Sequence, residues 1–401
     1  MAEVKPDIET IAKIKVVGIG GGGSSAVNRM VEAKIKGVEF IVMNTDVQAL
    51  HYTKAPTKLH IGKTVTRGLG AGMNPDLGRK AAEEAQNEIR DLLKGADMVF
   101  ITCGLGGGTG SGASPIVAEI ARDLGALTIA VVTKPFSFEG VQRRTIAEQA
   151  YDDLAEKVDA IIVIPNDRIL QIVDKKTTLL ESFRTVDEVL RQGVEGISDL
   201  ITMPGLVNVD FADVKSIMHN AGSALMGIGK GTGENRAVTA AKAAITSPLL
   251  ESSIEGARGI LFVITSGIDL GMHEVNDAAK IITNSADENA RVIFGTVIDE
   301  SMKGEVRVTV IASGFSGTPR PAHSKAPDAT PTYTANRYLE KKDEIEDDDE
   351  IDEPEETPDT KAIFRTRAAR STSNFEATPE PKRKDDEEDL DIPAFIRRKM
   401  N

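Results

Sequence analysis

Short, continuous apolar runs alternate with helix-like stretches through the first half of the chain. Five runs are predicted strands: Lys15–Ile19, Phe40–Asn44, Met98–Thr102, Thr128–Thr133 and Ala160–Ile164. Four stretches between them are predicted helices: Ser25–Ala33, Pro75–Leu93, Pro115–Leu124 and Thr145–Val158. Continuous apolar strands separated by helices indicate a parallel sheet that is covered on both faces. We therefore expect a Rossmann-like α/β domain over residues 1–176, with ligands at the carboxyl ends of its strands.

A long amphipathic helix is predicted next, over Thr177–Thr202, within a central segment 177–203. Its apolar residues recur at three- and four-residue spacing: Leu179, Phe183, Val186, Leu190, Val194, Ile197 and Ile201. The following residues, 204–316, mix predicted helices with strands and indicate a smaller α+β domain. The helices lie near Phe211–Asn220, Asn235–Ile245 and His273–Ser285, and the strands are Gly259–Ile264, Arg291–Val297 and Val306–Ala312. Residues 299–304 suit a hairpin connection between the last two strands.

The composition changes after Phe315. Pro, Ala, Thr and Ser dominate first, and Asp343–Asp359 then carries twelve acidic residues in seventeen. Low hydrophobicity and high charge cannot offset the entropy of ordering, so residues 317–387 are a predicted disordered linker. The terminal segment 388–401 contains an apolar peptide with a basic tip, Leu390–Lys399. It is either a peptide that folds onto a partner or a solvated end without function.

Composition and charge narrow the class of protein. A formal net charge of −14 argues against non-specific nucleic-acid binding. The single cysteine excludes an internal disulfide framework, and with the five histidines it has the wrong spacing for a metal cluster. Residues 1–15 hold no apolar run of signal-peptide length, and no stretch approaches the roughly 20 apolar residues that span a bilayer. We expect a soluble cytoplasmic protein without nucleic-acid partners; three terminal basic residues are too few for stable membrane anchoring.

The first glycine cluster, Gly18–Gly23, lies between a predicted strand and a predicted helix. Small residues let a ligand approach the backbone, and a helix N-terminus offers free N–H groups to phosphate oxygens. Gly18, Gly20 and Gly23 also satisfy G-x-G-x-x-G, and Asp46 lies where a ribose-binding acid would follow. By itself this pattern fits an NAD-dependent oxidoreductase, and it also fits a tight turn with no ligand.

A second cluster, Gly104–Gly112, again follows a strand and leads toward a helix. Seven consecutive glycine or hydroxyl residues from Gly106 onward disfavour stability, because each glycine costs conformational entropy. They suit a nest of backbone N–H groups around a di- or triphosphate, with Thr109 and Ser111 hydroxyls as further donors. Rossmann dehydrogenases do not need this second loop. No Walker A lysine is present, so the phosphates would be held without one.

The sequence GGGTGSG at Gly106–Gly112 resembles the signature of the tubulin/FtsZ superfamily. Loops similar to the nucleotide loops of FtsZ surround it in the expected order: Asn44–Asp46, Gly68–Gly72, Lys134–Phe136 and Phe138–Gly140. Downstream, Asn208–Asp213 resembles the synergy loop of that family, and Asp391–Phe395 resembles its tail peptide. The resemblance covers roughly residues 10–316 and the final peptide. It favours FtsZ over tubulin, since tubulins lack this linker and tail peptide.

The resemblance implies a tubulin-like GTPase that binds GTP or GDP with Mg²⁺. Phe183 and Asp187 would recognise guanine, and they share a helix face because they are four residues apart. By periodicity alone, the favoured interpretation of Phe183 is a core residue of the amphipathic stripe. The implied nucleotide-binding residues are Gly21, Gly22, Gly23, Ser24, Ser25, Asn44, Gly70, Ala71, Gly72, Gly107, Gly108, Thr109, Gly110, Pro135, Glu139, Arg143, Asn166, Phe183 and Asp187.

Hydrolysis needs an oriented water, and the nucleotide loops hold no residue clearly placed to orient one. Asn208, Asp210 and Asp213 follow the long helix, whose roughly 26 residues would span about 39 Å. The resemblance implies that they complete the site of the next subunit in a head-to-tail homopolymer. Capping of the next helix is the alternative role for the two acids. For the protein as a whole, the first alternative is the NAD-dependent oxidoreductase, and the second is a non-enzymatic scaffold that only binds nucleotide and polymerises.

The implied function is a GTPase whose filaments form the division ring at mid-cell. Its other expected partners are membrane-attached adaptors and regulators, which would bind the tail peptide at Asp391–Arg398.

Overall fold

The computed structural model describes residues 12–174, 176–203, 207, 209–250, 253–300 and 302–315. Asn208, the predicted linker and the predicted tail peptide lie outside this part of the chain. The strands are β1 Ile14–Ile19, β2 Val38–Asn44, β3 Thr57–His60, β4 Met98–Gly104, β5 Leu127–Lys134, β6 Ala160–Pro165, β7 Gly222–Thr232, β8 Gly259–Ser266, β9 Arg291–Ile298 and β10 Glu305–Ser313. The helices are α1 Gly20–Glu32, α2 Val47–His51, α3 Pro75–Glu84, α4 Gln86–Leu93, α5 Gly108–Asp123, α6 Val141–Ala155, α7 Asn166–Ile169, α8 Leu179–Thr202, α9 Phe211–Met218, α10 Arg236–Ile245 and α11 Met272–Thr283, with a 3₁₀ turn at Ser137–Glu139.

The ten described strands form one sheet in the order β3-β2-β1-β4-β5-β6-β7-β10-β8-β9. The strands from β3 to β7 run parallel, and β8 and β9 are parallel to each other. Only β10 is antiparallel to its neighbours, β7 and β8. The predicted α/β class with a largely parallel sheet is confirmed.

Alternate residues of the parallel strands supply two apolar cores on opposite faces of the sheet. Val16 and Phe100 point to a core shared with α1 and α8, whereas Val17 and Ile101 point to a core shared with α3–α6. Burial on both faces explains why these strands read as unbroken apolar runs. The first core continues onto β8 and β10 through residues such as Leu261, so α8 packs on both halves of the sheet. A third core joins β8 and β10 to α10 and α11.

The predicted hairpin between the last two strands is wrong. β9 pairs only with β8 among the described strands, and β10 enters the sheet between β7 and β8. Residues 299–304 therefore lead the chain across β8 rather than into a tight turn. Burial gives the physical reason. Val306, Val308 and Val310 of β10 lie in the core that α10 and α11 cover, and an interior position between β7 and β8 provides this burial.

Strand β7 does not follow from the sequence pattern, because glycines interrupt its apolar alternation. The structure gives their reason: a Cβ at Gly229 would lie 2.0 Å from the carbonyl oxygen of Ala240. Helix α10 thus packs directly on the backbone of β7. The same close approach recurs at Gly227 and Gly231.

Several predicted helices have different bounds. The glycine clusters predicted as loops form the first turns of α1 and α5, and the predicted Pro75–Leu93 helix breaks at Ala85. Helix α8 is confirmed over 24 residues, and the Thr178 side chain caps its N-terminus with Glu181 in a capping box. Within the described part of the chain, no helix combines the length and the apolar character needed to cross a membrane.

Candidate functional site

A cavity of about 460 Å³ opens at the carboxyl ends of β1, β4, β5 and β6. It is bounded by the first turns of α1 and α5 and by one face of α8. Most of the predicted binding residues line it: Gly21, Gly22, Ser25, Ala71, Gly72, Gly107, Gly108, Thr109, Gly110, Pro135, Glu139, Arg143, Asn166, Phe183 and Asp187. The structure therefore brings together residues spread over more than 160 positions of the sequence.

The N-termini of α1 and α5 converge at the floor of this cavity. A Cβ at Gly20, whose φ is +70°, would lie 3.0 Å from the Gly110 nitrogen, and one at Gly22 would lie 3.0 Å from the Gly104 nitrogen. A side chain at Gly20 or Gly22 would push these segments apart by a few tenths of an ångström, and the positive φ of Gly20 also favours glycine. The unpaired N–H groups and aligned dipoles of both helices then favour one anion between them. This part of the cavity is suited to phosphate.

Hydroxyl groups stabilise the turns around the cavity. The Oγ atoms of Thr45 and Thr109 are hydrogen-bonded at 2.6 Å and buried. The Ser111 hydroxyl accepts from the Gly106 N–H at 2.9 Å. Ser111 is buried and does not line the cavity, so its predicted role as a phosphate donor is not seen in this arrangement. Its position instead fixes the turn that precedes α5.

An ion pair forms one side of the cavity. Arg143 Nη1 lies 2.9 Å from Glu139 Oε2, and Glu139 Oε1 accepts from the Phe136 N–H at 2.9 Å. The Nε atom of Arg143 is buried without a hydrogen-bond partner in the described structure. A buried, unsatisfied donor is costly, and an anionic or hydroxyl group in the cavity would satisfy it.

Aromatic and aliphatic side chains form the end of the cavity next to α8. Phe183 is 38% exposed, and its ring meets the buried Phe136 ring edge to face at 5.4 Å. Val186 and Leu190 continue this apolar wall along α8. Asn166 is buried in the lining, and its Oδ1 has no hydrogen-bond partner among the described residues. An apolar slot with a few unsatisfied polar atoms suits a planar heterocycle with polar edges.

Asp187 adds a carboxylate to this apolar wall. Burial raises its pKa to about 6, and the nearby positive charge of Arg29 opposes this rise. A ligand that donates hydrogen bonds to the carboxylate would favour the ionised form and lower the pKa again. Guanine carries two adjacent donors, N1–H and the 2-amino group, which match the two oxygens of a carboxylate.

Four predicted binding residues do not line the cavity. Ser24 is buried and donates to the Gly20 carbonyl at 2.6 Å, and Asn44 is buried and accepts from the Asp46 N–H at 3.2 Å. Gly23 packs against the Thr102 carbonyl, where a Cβ would lie 2.3 Å from the oxygen. Gly70 adopts a φ of +83° beside Asp46. All four support the walls of the cavity in this arrangement, and their contacts with nucleotide stay a prediction.

The cavity also includes six residues outside the predicted binding set: Ile19, Gly104, Leu105, Thr133, Val186 and Leu190. Helical spacing would have found the last two, because they lie three and seven residues after Phe183 on the same face. Ile19, Gly104 and Leu105 belong to the two glycine clusters, and Thr133 lies next to the last residue of β5, at the predicted ligand edge of the sheet. Asp46, the proposed ribose acid of a dinucleotide site, instead caps α2 by accepting from the Ala49 N–H at 3.0 Å.

The predicted catalytic acids lie far from this cavity. Phe183 and Thr202 are 19 residues apart on α8, which corresponds to about 28 Å along its axis. Beyond α8, Val207 pairs with Thr296 of β9, and Asp210 accepts from the Asp213 N–H at 2.7 Å as the N-cap of α9. Capping by Asp210 is therefore confirmed. We call residues 207–213 the acidic loop; Asn208 within it lies outside the described residues.

Among the described residues, no group of three or more His, Cys, Asp or Glu side chains could hold a metal ion.

The chain matches two protein-family models. The tubulin/FtsZ family GTPase domain matches residues 13–174, and the FtsZ family C-terminal domain matches residues 222–316. A solved FtsZ dimer from M. jannaschii is 46% identical, with a TM-score of 0.74, over 76% of this chain and 89% of the other. The GTPγS-bound CetZ2 protofilament from Haloferax volcanii shares the fold at 20% identity, with a TM-score of 0.66 over 77% and 95% of the chains. The chain therefore belongs to the FtsZ branch of the tubulin/FtsZ family, tubulin-like GTPases of the cell-division cytoskeleton.

Proposed function

We propose that this chain polymerises head to tail and hydrolyses GTP where the acidic loop of one subunit closes the cavity of the next. The observation that carries the proposal is the separation of the two halves of the site. The cavity lies beside the N-terminal half of α8, and the exposed Asp210 and Asp213 lie beyond the C-terminal end of that helix. A contact between unlike ends repeats without closing and yields filaments. The M. jannaschii relative was solved as a dimer and CetZ2 as a protofilament, which is consistent with this.

Each set of residues has a distinct task in the reaction. The N–H groups at the starts of α1 and α5 hold the phosphates in line and neutralise charge as it develops. Arg143 adds a positive charge at the cavity wall. Asp210 and Asp213 of the neighbouring subunit position and polarise the attacking water, and Asn208 approaches the γ-phosphate. Mg²⁺, which is typical of the family, would add charge neutralisation when bound to the phosphate oxygens.

The filaments would form the division ring at mid-cell. The predicted linker 317–387 would tether each filament, and the peptide at Asp391–Arg398 would bind membrane-attached adaptors and regulators. Apolar peptides on acidic tethers fold on binding and reach partners at a distance, which supports this role.

A mixing experiment tests whether the site is shared. Asp213→Asn removes an acid from the loop, and Asp187→Ala impairs the cavity. Each variant alone should release little phosphate from GTP. In an equal mixture, about a quarter of randomly formed contacts pair an intact cavity with an intact loop, so activity should recover toward a quarter of the wild-type value.

Two controls make the result decisive. Asp91→Asn alters an exposed acid on α4, away from both ends, and should leave phosphate release unchanged. Asp213→Asn should bind GTP as the wild type does. Absence of recovery in the mixture, when both variants still co-sediment with wild-type polymer, would show that the acidic loop does not act in trans. Full activity of Asp213→Asn alone would contradict the proposed role of that acid.

A further inference from the structure

A buried arginine opens helix α10, where a cation is not expected. Arg236 is the first residue of the helix and is only 7% exposed. The positive end of the helix dipole disfavours a cation in the first turn. A residue that breaks a local rule usually has a reason elsewhere in the structure.

That reason is a set of four hydrogen bonds to a neighbouring segment. Arg236 donates from Nε and Nη2 to the two carboxylate oxygens of Glu274, at 2.8 and 3.0 Å. It also donates from Nη1 to Asp269 Oδ2 at 2.5 Å and from Nη2 to the Asp269 carbonyl at 2.8 Å. The hydrogen bonds from Arg236 lower the pKa of both carboxyl groups. Only a planar guanidinium can make this set, so lysine is not an equivalent.

The contacts fix Gly267–Gly271, which links β8 to α11, and Met272, the first residue of α11. We call the segment Gly267–Met272 the β8–α11 link. Its ends are also held: the Gly267 N–H donates to the Met302 carbonyl at 3.2 Å, and the Gly271 N–H donates to Glu274 at 2.9 Å. The link nevertheless exposes two large apolar side chains. Ile268 is 75% exposed and Met272 is 81% exposed. A rigidly held segment that presents apolar side chains to water is typical of a contact surface.

The sheet places this link at the same end of the molecule as the acidic loop. Strand β8 ends at Ser266, opposite Ile298 at the end of β9. Two residues earlier on β9, Thr296 pairs with Val207 of the acidic loop. The opposite end, around the cavity, carries exposed Leu69, Phe138 and Val141. A head-to-tail contact would therefore bury apolar side chains from both ends.

We propose that Arg236 is a positioning residue for the contact between subunits, because it fixes the β8–α11 link against the cavity end of a second copy of this chain. The proposal rests on the proposed function. Helix α10 itself is attached through a buried stripe, Ala237, Ala240, Ala241 and Ala244. Loss of the Arg236 contacts should therefore release the link without detaching the helix.

The first test is Arg236→Lys in the full chain, assayed by phosphate release from GTP at increasing protein concentration. The threshold concentration should rise about tenfold. GTP affinity and activity per subunit far above the threshold should match the wild type, because the cavity is untouched. Hydrogen exchange should become faster in residues 267–274 and stay unchanged in residues 236–245.

A second variant keeps the test independent of folding. Ile268→Ser changes an exposed side chain, so it should raise the threshold without altering hydrogen exchange. Because both changes act on one contact surface, the double variant should raise the threshold concentration by less than the product of the two single effects. Arg90→Lys, which alters a surface ion pair with Asp123 at 3.7 Å, is the matched control and should leave the threshold unchanged.

Two results would overturn the inference. One is an unchanged threshold in Arg236→Lys despite faster exchange in the β8–α11 link. The other is a raised threshold accompanied by loss of GTP affinity, which would indicate a general structural role. If the wild type itself shows no threshold, the proposed function fails, and that outcome is separate from either of these.

Discussion

Replacement of Asp187 by asparagine should stabilise the empty protein and weaken its binding of GTP. The carboxyl of Asp187 faces an apolar wall, and its burial raises the pKa from 3.8 to about 6. At pH 8 the carboxyl group is ionised in the folded state, and its burial makes this ionisation unfavourable. The shift is about 2 units, and at 1.36 kcal/mol per unit the cost is at most about 3 kcal/mol. Since the asparagine amide also needs hydrogen-bond partners, we expect Asp187→Asn to raise the free energy of unfolding by only about 1–2 kcal/mol.

The sign of the pH dependence follows from the raised pKa. Between pH 3.8 and 6 the folded state binds more protons than the unfolded state, so the cost of ionisation grows over this window. It is complete above about pH 6 and roughly half complete at pH 5. The stability gain of Asp187→Asn should therefore be largest at pH 7–8 and clearly smaller at pH 5. Urea denaturation of nucleotide-free protein at pH 8 and pH 5 measures it.

Binding should change in the opposite direction. Hydrogen bonds to a charged acceptor contribute about 1.5–3 kcal/mol, so the variant should bind GTP roughly 10- to 100-fold more weakly. Discrimination between GTP and inosine triphosphate, which lacks the 2-amino group, should fall as well. Asp199→Asn is the matched control on α8, where burial and nearby Glu195 raise the pKa to about 7. It should stabilise the protein and leave GTP affinity unchanged. An Asp187→Asn variant that is less stable at pH 8 would show that ionised Asp187 does not destabilise the empty cavity. A variant that binds GTP normally would show that the carboxylate does not contact guanine.

Substitutions at Gly22 and Asp210 and alkylation of Cys103 test the local structure further. Gly22→Ala should weaken GTP binding at least tenfold in a filter assay, because its Cβ would lie 3.0 Å from the Gly104 nitrogen; unchanged affinity would disprove the close approach. Asp210→Ala should lower the free energy of unfolding by about 1 kcal/mol and Asp210→Asn much less, since asparagine also caps helices; equal losses would exclude the cap. Burial raises the pKa of Cys103 to about 12, so its thiol should resist alkylation until urea unfolds the protein, and rapid labelling of the native protein would contradict that burial.

The parallel half of the sheet could be predicted from sequence because burial on both faces leaves continuous apolar runs. Strand β7 could not, because α10 packs on its backbone and demands glycines that resemble a loop. The β9–β10 connection was predicted wrongly, since local sequence does not report which strands become neighbours. The same limit applies to the cavity. The glycine motifs and the family resemblance indicated the glycine turns and Asp187, whereas Thr133 enters the cavity only through the register of β5 against β4.

In the proposed mechanism, the GTPase site is shared between subunits. It is tested most directly by phosphate release from GTP against protein concentration, with light scattering recorded on the same samples. If the site is shared, activity per subunit is near zero below a threshold concentration and rises together with scattering above it. Activity per subunit that is constant across all concentrations, with or without scattering, would show that each subunit carries a complete site.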